Sequence, residues 1–121
     1  MSRKKLKILK LLKLRSKKDL SEHARAMNLL NVRIEELEIL KTSLTKQLEY
    51  YSERKSISSV SHLRSNGVFT QKLVDEIERI ERQSEHLATE VERYATELMR
   101  LDAKKQKIED KIVFEQRKLI A

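Results

Sequence analysis

An apolar heptad repeat runs through both halves of this chain, and no proline interrupts it. In the first half one series is Leu6, Lys13, Leu20, Met27, Ile34, Lys41 and Leu48. The second, three residues on, is Leu9, Ser16, His23, Leu30, Leu37, Leu44 and Tyr51. Ten of these fourteen positions are apolar or Tyr. The alternating spacing of three and four keeps one stripe of a helix turned towards a partner helix.

The second half keeps its own register. Thr70, Ile77, Ser84, Val91, Leu98, Lys105, Ile112 and Leu119 form one series; Leu73, Ile80, Leu87, Tyr94, Leu101, Ile108 and Glu115 form the other. Eleven of these fifteen fit. Polar residues at such positions, here Lys41, Ser84, Lys105 and His23, are tolerated and often fix register at some cost in stability. Charged residues flank both stripes, and Glu78 with Arg82 has the i, i+4 spacing of a favourable ion pair. Charged residues make up 38% of the chain and aromatics 4%, which suits long helices held along a narrow seam and not a wide globular core. Period-two β-branched runs are absent, and the regular repeat argues against disorder.

Between the halves the pattern breaks. Ser52, Ser56, Ser58, Ser59, Ser61 and Ser65 crowd together, and Asn66-Gly67, containing the single glycine, follows. This is the one strong turn signal, although Ile57, Val60 and Leu63 recur at a helical spacing inside it. The expectation is all-α: an antiparallel two-helix coiled-coil hairpin forming a single domain over 1–121. Its helices run over about 3–54 and 68–119, with a turn at about 55–67. Each arm of ~50 residues is then ~75 Å long. The alternative is one continuous helix paired with a second chain.

Little in the sequence points to chemistry. Cysteine is absent, which excludes disulfides and thiolate metal sites. His23, His62 and His86 have no metal-ligand spacing. Asp75, Glu76, Glu78, Glu81 and Glu85 cluster, but on a two-helix hairpin they lie on a solvated flank with no cavity to desolvate them. There is no Gly-rich phosphate loop, and the serines near the turn read as a solvated loop. The expectation is a protein that is not an enzyme and uses no metal or cofactor. No stretch has the ~20 apolar residues that cross a bilayer, and the N-terminus does not read as a secretory signal.

The two ends differ. Residues 1–18 hold nine cations (Arg3, Lys4, Lys5, Lys7, Lys10, Lys13, Arg15, Lys17, Lys18) and no acid, whereas the rest balances 18 cations against 19 acids. Ile8, Leu11, Leu12 and Leu14 fall off the seam, and Ile8, Leu9, Leu11 and Leu12 make an apolar arc wider than one partner helix covers. A basic amphipathic helix on an anionic membrane, a phosphate-binding tail and a segment inserted into a protein cavity all fit, as does a merely solvated basic end. The nucleic-acid reading is weakest, because no aromatics are interleaved for stacking. An organelle-targeting segment shares this composition, but the heptad continues past it without a boundary. At the turn end, Tyr50, Tyr51, Ile57, Leu63, Phe69 and Leu73 collect most of the aromatics, either as a cap on the core or as a docking patch.

Ser59, Leu63, Arg64, Phe69, Leu73 and Ile77 spell S-x₃-L-R-x₄-F-x₃-L-x₃-I, leading from the Ser-rich turn into the second helix. This resembles the FliJ family of bacterial flagellar type III export, with the related injectisome stalk proteins sharing the same periodicity. The resemblance implies a coiled-coil stalk, similar to the central shaft of rotary ATPases. The paired termini of such a stalk enter the pore of the export ATPase hexamer, and its turn end contacts the export gate membrane protein. By position, Leu6, Leu9, Lys10, Lys13, Ile112 and Leu119 lie at the ATPase end. Tyr51, Phe69 and Leu73 match the gate-binding patch. The resemblance also implies a cytoplasmic protein peripheral to the inner membrane, with export chaperones as further candidate partners and nucleic acid not among them.

Overall fold

With apolar residues on a heptad and no proline, neither half has a reason to leave the helix. The computed structural model describes the backbone of residues 2–52 and 60–120, and the side chains of 3–52 and 66–120. The chain forms α1 (Ser2–Ser52) and α2 (Val60–Ile120), packed against each other as an antiparallel hairpin. All fourteen seam positions of α1 are buried or half-buried, as are all those of α2 except Leu119. The heptad therefore identified the packed stripe residue by residue.

Two units pack most densely within themselves, residues 1–29 with 91–121 and residues 30–90. In the terminal unit, Leu9, Ile108 and Ile112 form a buried cluster with Leu6 against it. Lys5 meets Glu115 at 3.3 Å and Lys13 meets Glu109 at 3.8 Å, which sets the antiparallel register. In the central unit the most buried side chains are Leu37 and Ile80, at 2% and 1% exposure. Lys41 pairs with Glu81 at 3.4 Å, and the Tyr51 and Phe69 rings meet edge to face with centroids 4.8 Å apart.

The second helix starts earlier than the sequence indicates. α2 begins at Val60 and not at 68, so Asn66 and Gly67 lie inside the helix, and no glycine has positive φ. Gly67 costs the helix about 1 kcal/mol relative to Ala, an amount that local interactions offset. The Asn66 Nδ2 donates to the Tyr51 carbonyl at 3.3 Å, satisfying one of the acceptors that a helix C-terminus leaves open. Thr70 Oγ1 donates to the Gly67 carbonyl at 2.9 Å, and Phe69 packs on Tyr51. Residues 53 and 54 of the expected first helix, and Ser56, Ile57, Ser58 and Ser59 of the expected turn, lie outside the described residues.

Candidate functional site

The seam accounts for only part of the apolar surface near the termini. Ile8, Leu11, Leu12 and Leu14 of α1 are exposed, and so are Val113, Phe114, Leu119 and Ile120 of α2. Arg3, Leu6, Lys7, Lys10, Leu11 and Leu14 line one shallow groove. Lys10, Lys13, Leu14, Lys17, Ile112 and Val113 are among those lining a second. Leucines and lysines share both linings because apolar and basic residues alternate at helical spacing along α1; Glu109 and Gln116 complete the second. Lys118 adds a cation 4.5 Å from the Phe114 ring centroid, a contact of about 0.5–1 kcal/mol at an exposed site.

The six residues expected at this end divide by burial. Leu9 and Ile112 belong to the buried cluster and Leu6 packs against it, so they hold the two helices together. Lys13 is half-buried and paired with Glu109. Lys10 and Leu119 remain open to a partner. Leu119 is a seam position left uncovered because, in the register set by Lys5 and Glu115, it lies level with the start of α1. Val113 shares the second groove with Leu14, and the off-seam Phe114 and Ile120 are exposed at the same end; the signal is the one that marks Leu11 and Leu14, apolar side chains where the heptad asks for polar ones.

The electrostatics of this end run against local stability. The first turn of α1 holds no acid, and Arg3, Lys4 and Lys5 stand at the positive end of the helix dipole, where cations are disfavoured by about 0.3–1 kcal/mol each. Arg117 and Lys118, in the last turn of α2, sit at the favourable end. Glu115 is buried at 3% exposure yet pairs with Lys5 and with Lys118 at 3.7 Å.

In the central unit the expected patch is partly assembled. Tyr51 is half-buried between Tyr50, at 5.2 Å, and Phe69, while Tyr50, Val68 and Phe69 are exposed. Leu73 is buried at 6% and serves the seam. The Ser59 position and the side chains of Leu63 and Arg64, half of the quoted motif, lie outside the described residues.

The titratable groups read as structural. His23 sits at a half-buried seam position; its Nδ1 donates to the Asp19 carbonyl at 2.9 Å and its ring meets Tyr94 edge to face at 5.7 Å. Glu97 has its carboxyl held below the usual carboxylate range. The hydrogen bond from Arg100 is the main cause; desolvation opposes it, and the charges of Arg100 and His23 add to it. Arg79 and Arg100 are correspondingly raised by hydrogen bonds to Glu76 and Glu97. The acidic cluster disperses into surface pairs: Glu76 with Arg79, Glu81 with Lys41, and Asp75 accepting from Gln71. The expected Glu78–Arg82 pair does not form; among the described residues Arg82 contacts no carboxylate. No group of three or more potential metal ligands occurs among the described residues. No described helix is long and apolar enough to cross a membrane. Comparison with protein-family models, curated proteins and solved structures finds no match.

Proposed function

We propose that the chain is a non-enzymatic stalk component of the bacterial flagellar type III export apparatus. Its terminal unit enters the export ATPase ring, and its central unit carries the surface that meets the export gate. The observation that supports this most is the set of exposed leucines and lysines in residues 3–18, with Val113, Phe114 and Ile120 also exposed in the terminal unit. Cations at the positive end of a helix dipole lower local stability, and leucines grouped outside a seam mark an interaction surface, so a partner is the reason to carry them. Such a face suits a pore lined by acidic and apolar groups. The exposed Tyr50 and Phe69 give the second contact, and the resemblance around Phe69, Leu73 and Ile77 supplies the identity of both partners.

Purified chain and cognate export ATPase test the reading. Co-sedimentation and stimulated ATP hydrolysis are expected, both weakened by exchanging Lys10 and Leu11 for Glu. If the two neither bind nor stimulate, and cells lacking residues 1–15 remain motile, the reading is wrong. The same face also favours a second reading, a scaffolding coiled coil lying on anionic membranes. Salt-sensitive flotation of the full chain with phosphatidylserine vesicles, without ATPase binding, would select it.

A further inference from the structure

The terminal unit carries the chain's whole excess of positive charge. Residues 1–29 and 91–121 hold eighteen cations against eight acids, a net of +10, whereas residues 30–90 hold nine against eleven. On α1 the excess is concentrated in residues 3–18. On α2 it follows a different pattern: Lys104, Lys107, Lys111, Phe114 and Lys118 recur at alternating steps of three and four. That spacing places them in one line along the helix. All five are exposed, and the line is about 21 Å long.

No carboxylate answers the first three lysines. Lys104, Lys107 and Lys111 make no ion pair or hydrogen bond among the described residues. Asp110 and Glu115 are the acids that stand three or four residues from a lysine of the line, and neither reaches those three. Asp110 accepts from Gln106 Nε2 at 3.2 Å, and Glu115 is buried with Lys5 and Lys118. Glu109 is shared by Lys13 and Lys105. Like charges at these spacings destabilise a helix. Elsewhere on α2 surface cations are answered, as Arg79 is by Glu76 and Arg100 by Glu97. The line is therefore a charged strip that the fold itself does not use.

We propose that this line binds the anionic headgroups of a lipid bilayer, with Phe114 entering the interface between the lysines. Two observations select a bilayer among polyanions. Phe114 stands in the line at 59% exposure with Lys118 over its ring, and an aromatic among lysines suits the boundary between headgroups and acyl chains. The neighbouring exposed apolar groups Val113, Leu119 and Ile120 are aliphatic. A bilayer takes such groups up, whereas single-stranded nucleic acid binds by stacking on aromatic rings. Lysines close to an anionic leaflet each add to binding, and salt screens that contribution. The inference shares its partner with the membrane reading above and rests on it for that, but it uses none of residues 3–18. It gives α2 a contact of its own.

The test uses the full chain with vesicles of phosphatidylcholine, alone or mixed with phosphatidylserine. Lys104→Gln, Lys107→Gln and Lys111→Gln together should weaken binding to the mixed vesicles about a hundredfold. The unfolding midpoint should not fall, because all three side chains are exposed. Lys46→Gln, Lys72→Gln and Arg82→Gln remove the same charge from exposed positions of the central unit and should change binding little. The chain has no tryptophan, so Phe114→Trp reports on this site alone. Its emission should shift to the blue with the mixed vesicles and not with phosphatidylcholine. Binding that survives neutralising the α2 line but is lost on neutralising Lys7, Lys10 and Lys17 would overturn the α2 contact and leave the membrane reading standing. Absence of vesicle binding by wild type overturns both. Equal loss in the central-unit control, an unshifted tryptophan emission, or a preference for single-stranded DNA that depends on the same lysines also overturns the inference.

Discussion

Ser84 occupies a seam position of α2 with its hydroxyl buried and without a hydrogen-bond partner. A buried hydroxyl loses its water and here gains nothing in return, a penalty of about 1–3 kcal/mol. Serine is also the poorer helix former than alanine. Ser84→Ala should therefore raise stability by about 1 kcal/mol, read as a higher urea midpoint at unchanged slope. Glu115 is the opposite case, a buried acid with two lysines around it. Leucine at this site should be tolerated, because it extends the cluster of Leu9, Ile108 and Ile112 and leaves Lys5 and Lys118 free to reach water. Glu97 makes stability depend on pH. Its carboxyl is held low in the folded state by Arg100, so its contribution is present above the ordinary carboxylate range. That contribution is lost as pH falls through the lowered value. The pair is surface-exposed and screened by salt. The thermal midpoint of wild type should exceed that of Glu97→Gln at neutral pH, and the difference should vanish in acid. Polar seam residues were legible as such from the heptad alone. The failure of Glu78 to meet Arg82 was not, because spacing gives reach but does not choose a rotamer.

At the scale of the helices, sequence periodicity carried most of the information. Every seam position of α1 is at least half-buried, because a two-helix interface has one stripe to bury and the 3–4 spacing names it. The start of α2 was less legible. Asn-Gly is a strong turn signal when nothing opposes it, but here Phe69 stacking on Tyr51 and Asn66 capping the end of α1 favour continued helix. Tertiary context outweighed a local preference of about 1 kcal/mol. A substitution tests that account directly. Gly67 has negative φ, and a Cβ there meets nothing within 4 Å. Gly67→Ala should stabilise the protein by about 0.4–1 kcal/mol, as measured by urea unfolding, by reducing the freedom of the unfolded chain. A loss of stability instead would mean that residue 67 does not reside in a helix. The candidate site was legible in kind but not in detail. The basic apolar end follows from residues 3–18, yet periodicity alone could not separate Leu9 and Ile112, which hold the helices together, from Leu11 and Phe114, which are left outside.

For the molecule as a whole, the decisive question is whether each seam is covered from within the same chain. The cross-helix pairs are intramolecular: Lys5 with Glu115 and Lys13 with Glu109 in the terminal unit, Lys41 with Glu81 in the central one. Each joins α1 to α2, and the apolar seam between such pairs is already buried. A second copy competing for that seam would have to displace contacts whose effective concentration is set by the connection between the helices, in the millimolar range for a short linker. Intermolecular pairing at micromolar protein is therefore outcompeted. Folding should be unimolecular, with helicity and unfolding midpoint unchanged over a hundredfold dilution and a monomer mass in analytical ultracentrifugation. Leu37→Ala or Ile80→Ala, at the most buried positions of the central unit, should lower stability by about 2–5 kcal/mol without making the transition depend on concentration. A midpoint that falls on dilution, with a dimer mass at low micromolar concentration, would mean that the seams pair between chains.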